Sequence, residues 1–170
     1  MTKQLVYRIL AWTIDFGIIV LYAVLLFAGT SLLLDVKPVS NPFVGQLIGF
    51  FTLTLPVFTY SYLTEKGKRK ATIGKSLVKL EVVAGHNNRT KSVLLRNVLK
   101  YLPWELAHIG VHWIVYYASK GLETPIWIWM TLIVPQVMMF VYFVSVVVSR
   151  GQSSIYDRIS NTSLRLNTTE

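Results

Sequence analysis

Four long apolar stretches constrain this chain more than any other feature of it. They run from about Leu5 to Leu34, Phe43 to Leu63, Val93 to Ala118 and Pro125 to Ser149, and the second and fourth contain no charged residue. A helix needs about 20 apolar residues to cross a hydrocarbon core of roughly 30 Å. Each stretch reaches that length. A membrane β-barrel would instead alternate apolar and polar residues over about ten positions, and these stretches do not alternate. The sequence predicts an all-α integral membrane protein with about four transmembrane helices. Only 15% of residues are charged, against about a quarter in soluble domains. Residues 1–170 read as a single membrane domain. Its connector spans 64–92 and its tail 150–170.

The basic residues set the expected orientation. Lys3 and Arg8 lie at the N-terminus, ten Lys and Arg residues lie in or beside the 64–92 connector, and Arg150, Arg158 and Arg165 lie in the tail. Only Lys37 and Lys120 fall in the short loops. The positive-inside rule then places both termini and the connector in the cytoplasm of a multi-pass plasma-membrane protein. The net charge of +9 is thus a topology signal, and no nucleic-acid partner is expected. A cleaved secretory leader is not expected either, because the first run is too long, carries Asp15 and lacks a small-residue cleavage site. The absence of cysteine removes disulfides, zinc–thiolate sites and iron–sulfur clusters. No motif for nucleotide binding or hydrolytic catalysis occurs, so no enzyme and no particular cofactor are indicated.

Two cytoplasmic pieces alternate as short strands do. Val78, Leu80 and Val82 alternate with Lys79, Glu81 and Val83, before a turn at 85–88. Thr162, Leu164 and Leu166 alternate with Ser163 and Arg165. The two can pair as a small β-ribbon against the membrane surface.

Charges inside the apolar stretches are the candidate site residues. Arg8 and Asp15 share a helix face about two turns apart. An aspartate at membrane depth costs about 2.5–3.5 kcal/mol on insertion scales. It therefore needs a partner, water or a proton. It reads equally as a functional group and as half of a structural ion pair. In the third stretch Glu105, His108 and His112 share a face at i, i+3 and i+7. Three readings stay open for them: an ion or proton pathway, a metal site, or a hydrogen-bonded structural face. Pro103 just before them can kink the helix. Beyond the fourth stretch, Asp157 can accept from backbone amides or pair with an arginine such as Arg96.

These pieces together resemble the RDD family of bacterial and archaeal membrane proteins, named for one arginine and two aspartates. Arg8-Ile-Leu-Ala-Trp-Thr-Ile-Asp15 is similar to its first-helix motif. Thr72-Ile-Gly74-Lys75, with Leu77, Leu80, Val82 and Val83 after it, is similar to its Thr-x-Gly-Lys segment and following strand. Tyr156-Asp157-Arg158-Ile-Ser-Asn161-Thr162 is similar to its terminal motif, with Asp157 as the third naming residue. The family often has His and Gly where this chain has Tyr156 and Asn161, and asparagine tolerates the left-handed backbone. The order covers nearly the whole chain. The resemblance implies a membrane protein of largely uncharacterised function, with transport, including sodium–proton exchange, proposed for some relatives. Expected partners are the lipid bilayer, further copies of the chain and a cation or small-molecule ligand. The competing expectations are a non-catalytic module that anchors or regulates a partner complex and a metal-dependent membrane enzyme.

Overall fold

The computed structural model describes residues 2–33, 41–85 and 88–167. Leu34, the loop carrying Lys37, and His86 and Asn87 of the expected turn lie outside the described residues. The chain is built from α1 (Lys3–Leu33), α2 (Pro42–Gly49), a π turn (Phe50–Thr54), α3 (Leu55–Lys66), α4 (Ile73–Leu77), β1 (Leu80–Ala84), α5 (Arg89–Ser119), α6 (Ile126–Val148), α7 (Ile155–Ile159) and β2 (Thr162–Leu166).

Local chemistry sets the helix starts. Asn41 caps α2 by accepting from the Phe43 amide at 2.9 Å, with Pro42 in the first turn, where its missing N–H costs nothing. Asn88 caps α5 by accepting from the Lys91 amide at 3.1 Å. Ser154 and Asp157 form a reciprocal capping box on α7, satisfying two amides that would otherwise be orphaned.

Pro56, Pro103 and Pro135 lie inside the long helical stretches, and the interruptions at the first two are repaired in the same way. A proline at position i cannot donate to the carbonyl at i−4. Pro56 therefore frees the Thr52 carbonyl, within the π turn, and the Tyr22 hydroxyl of α1 donates to it at 2.6 Å. Pro103 frees the Leu99 carbonyl, and the Tyr142 hydroxyl of α6 donates to it at 3.2 Å. Freed carbonyls shielded from water need such partners from neighbouring helices. Tyr142→Phe is expected to cost about 1–3 kcal/mol, the penalty for a buried acceptor left unsatisfied. A thermal melt in detergent that matched the parent would show that the bond contributes nothing.

Three helical stretches among the described residues are long and apolar enough to cross a membrane: Lys3–Leu32, Pro42–Lys66 and Ile126–Val148. α5 is just as long, at 31 residues, but is not among them, because its polar face lowers its hydropathy. It runs antiparallel to α6. Trp113 meets Trp127 with ring centroids 5.4 Å apart, Gly110 lies against Thr131 and Leu132, and Leu99 meets Tyr142.

The packed core is not at the middle of the long helices. It consists of Ala11, Leu80, Val82, Val93 and Leu164, with Tyr7, Tyr62, Val78 and Leu166 against it. These residues gather the start of α1, the start of α5 and the ribbon at one polar end. β1 and β2 pair antiparallel there, from Leu80 opposite Leu166 to Ala84 opposite Thr162. Lys79 has φ 55°, so the strand begins after it and Val78 lies outside. Asn161 has φ 52° just before β2. Farther along the helices, large side chains such as Leu25, Phe27 and Phe140 are exposed. That pattern suits helices surrounded by lipid.

Candidate functional site

Arg8 and Asp15 occupy one helix, yet among the described residues they form no ion pair with each other. Each turns to a different partner. Asp15 accepts from the Thr72 hydroxyl at 2.5 Å and the Gly74 amide at 2.8 Å. The Lys75 ammonium lies 3.6 Å from the same carboxylate. α4 can approach this closely because residue 74 is glycine: a Cβ there would collide with the Ala11 carbonyl and lie 2.8 Å from Asp15 Cγ.

Lys75 carries the contact onward, with its Nζ 3.0 Å from Glu65 Oε1 at the end of α3. Glu65 Oε2 accepts from Arg96 Nε and from Asn97 Nδ2, each at 3.0 Å. Arg96 also reaches Asp157 Oδ1. Asp157 Oδ2 takes Arg8 Nη2 at 2.5 Å, the Ser154 amide at 2.8 Å and the Ser154 hydroxyl at 3.0 Å. Arg8 Nη1 finally donates to the Gly151 carbonyl at 3.2 Å.

The result is one alternating chain, Asp15–Lys75–Glu65–Arg96–Asp157–Arg8, joining α1, α4, α3, α5 and α7. Every member is buried, and Glu65 and Asp157 are fully so. Burying ions is costly unless each is paired and hydrogen-bonded, and alternation achieves that here. Glu65 and Asn97 stand out least in sequence: Glu65 sits among connector charges that look solvated. Thr72, Gly74, Lys75 and Asp157 all belong to this network. Thr162 is buried beside it, its hydroxyl 2.9 Å from that of Ser160, whereas Arg158 is exposed and donates to Ser153.

A second polar set runs down α5. Asn97, Tyr101, Glu105, His108 and His112 follow at steps of 4, 4, 3 and 4. That is one stripe over about 22 Å at 1.5 Å per residue. It faces α2, the π turn and α3. Tyr101 and Ser61 share a 2.5 Å hydrogen bond. His108 Nδ1 lies 3.4 Å from the Thr54 hydroxyl and 3.9 Å from Glu105 Oε2. His112 fills the space left by Gly45 and Gly49, where added Cβ atoms would lie 3.0 and 3.4 Å from its ring. Glu105 Oε2 is buried without a hydrogen-bond donor. π turns cluster at functional sites, and this one supplies Thr54. Among the described residues no group of three or more His, Asp or Glu side chains is arranged to hold a metal ion.

No curated protein and no solved structure matches the chain. The sequence model of one family, the RDD family, matches residues 2–161. The match runs from α1 to the turn before β2, and so takes in Arg8, Asp15 and Asp157 together with the Thr72–Lys75 segment that joins them. The chain is a membrane protein of the RDD family.

Proposed function

We propose that the protein is a transporter of protons or a small cation, not an enzyme, and that the α5 stripe is its path. The single observation carrying this reading is Glu105, a carboxylate with a buried, unbonded oxygen beside an imidazole, on a helix packed among membrane-spanning segments. Intramembrane carboxylates and histidines at such positions are the usual members of proton relays. A lone carboxylate can hold a proton or a cation but not both, which is the chemistry an exchanger needs. Asp15 suits that role less well, because two hydrogen-bond donors and an ammonium already occupy it.

The same reading has four crossings. α5 lies antiparallel along α6 from Leu99 to Trp113, so a membrane-spanning α6 takes α5 through with it. The core and the ion network then sit at the cytoplasmic face of the plasma membrane, together with both termini. Four helices enclose little space for a pathway, and the working form is a homo-oligomer. A second reading, a non-catalytic module that assembles or regulates a partner, is favoured by the saturation of the Arg8–Asp15 network, which looks built to hold elements together.

The test is sodium- or potassium-driven proton movement into vesicles that hold the purified protein and a trapped pH indicator. The parent protein is expected to move protons, and Glu105→Gln to fall to the rate of protein-free vesicles. Flux unaffected by Glu105→Gln would remove the stripe from the path. No flux from folded parent protein would leave the module reading in its place.

A further inference from the structure

The ion network pairs three carboxylates with three cations, and a fourth cation lies beside it. Its carboxylates are Asp15, Glu65 and Asp157, and its paired cations are Arg8, Lys75 and Arg96. Lys100, one turn beyond Arg96 on α5, adds its field to the same region. Four cations thus meet three carboxylates, and one positive charge has no fixed counterion within the cluster.

Tyr156 sits where that charge is felt. It precedes Asp157 in α7, so the Asp157–arginine contacts hold it in place. Arg8 Nη2, which binds Asp157, also donates to the Tyr156 phenol oxygen at 3.3 Å. The Arg96 guanidinium lies over the ring, 5.1 Å from its centroid. Tyr142 of α6 meets the ring edge-on at 5.1 Å. The ionisable neighbours are therefore Arg8 from α1, Arg96 and Lys100 from α5, Tyr142 from α6 and Asp157 from α7. Cations hold the majority, and Asp157 is itself claimed by two of them.

We propose that Tyr156 is a proton-exchanging site: its phenol releases its proton to become the phenolate that balances the fourth cation, and takes the proton back in acid. The ligand is the proton itself, and no other reactant is needed. Burial pushes the phenol up, but Arg8, Arg96 and Lys100 outweigh it and bring it down to about 7. An ordinary tyrosine ionises near about 10. A depressed acid stabilises the fold above its unfolded value and loses that contribution as pH falls through the folded value. The stability gap between parent and Tyr156→Phe therefore widens as pH rises from about 7 towards about 10. The ionisation of this phenol does not rest on the transport reading.

The test is the near-ultraviolet tyrosinate absorbance of the purified full chain in detergent, followed from about pH 5 to about pH 9. One of the nine tyrosines is expected to ionise with a midpoint near neutrality, and this step is expected to vanish in Tyr156→Phe. That variant keeps the ring under Arg96 and against Tyr142, so the fold has its packing. Lys100→Gln supplies an independent arm: loss of the fourth cation should raise the midpoint by about one pH unit or more. A parent protein with no tyrosinate below about pH 9 overturns the proposal. So does a step that survives Tyr156→Phe, or a midpoint unmoved by Lys100→Gln. A parent that titrates without moving ions in vesicles keeps the site and loses the transport reading. Ion flux without the titration does the reverse.

Discussion

Asp157→Ala is expected to leave little folded protein. The carboxylate is fully buried and joins Arg8 to Arg96 while capping α7 through Ser154. Removing it strands the Arg8 guanidinium and leaves Arg96 with Glu65 alone, in a place with little water, since Arg8 is 7% and Arg96 1% exposed. Breaking a buried pair from one side costs about 3–5 kcal/mol. Here Arg8 loses its ion partner and Arg96 one of its two, and the lost helix cap adds about 1 kcal/mol. Folded proteins have only about 5–15 kcal/mol in hand, so the sum approaches the whole stability of the chain. Asp157→Asn keeps the shape and one acceptor oxygen and should fall between parent and alanine variant. The measurement is the yield of monodisperse protein by size exclusion, followed by thermal unfolding of whatever survives. An alanine variant that melts within a few degrees of the parent would mean that the network is ornamental.

The membrane class could be read from the four apolar stretches because the bilayer imposes a length and a composition that do not depend on tertiary contacts. The strand alternation around Leu80–Val83 and Thr162–Leu166 could be read for a similar reason, since period two is local. Asp157 with Arg96 was also within reach, because a buried carboxylate near a basic connector has few other partners. The rest of the network was hidden by geometry. Arg8 and Asp15 share a face, which invites the idea that they pair, but α4 and α7 arrive at different heights on α1 and take one each. Glu65 and Lys75 look like surface charges among Lys66, Lys68, Arg69 and Lys70. They are buried only because α4 folds back onto α1. The freed carbonyls of Thr52 and Leu99 follow by counting four residues back from Pro56 and Pro103. That Tyr22 and Tyr142 supply the donors depends on how the helices pack, which no spacing reveals.

Gly74→Ala is expected to detach α1 from α4, while Gly17→Ala, two residues from Asp15 on the same helix, is expected to do no harm. At position 74 a methyl group would overlap the Ala11 carbonyl oxygen and lie 2.8 Å from Asp15 Cγ and Oδ1. Neither neighbour can yield easily: one is helix backbone, and the other is a carboxylate held by Thr72 and Lys75. α4 must therefore retreat, breaking the Gly74 amide bond to Asp15. Overpacking costs about 1–3 kcal/mol, and a buried hydrogen bond to a charged group about 1.5–3 kcal/mol more. The harm should spread, because Lys75 moves with α4 and Glu65 then loses one of its two cations. Gly17, by contrast, has nothing within 4 Å of an added Cβ, and alanine favours helix over glycine by up to about 1 kcal/mol. Thermal melts of the two variants should therefore move in opposite directions or differ by several kcal/mol. Amide exchange should rise in Ile73–Leu77 only for the first. Equal melts would place Asp15 outside the fastening of α1. Opposite shifts would show that the first helix is held chiefly at its polar end, through a glycine that lets a buried aspartate reach a backbone amide.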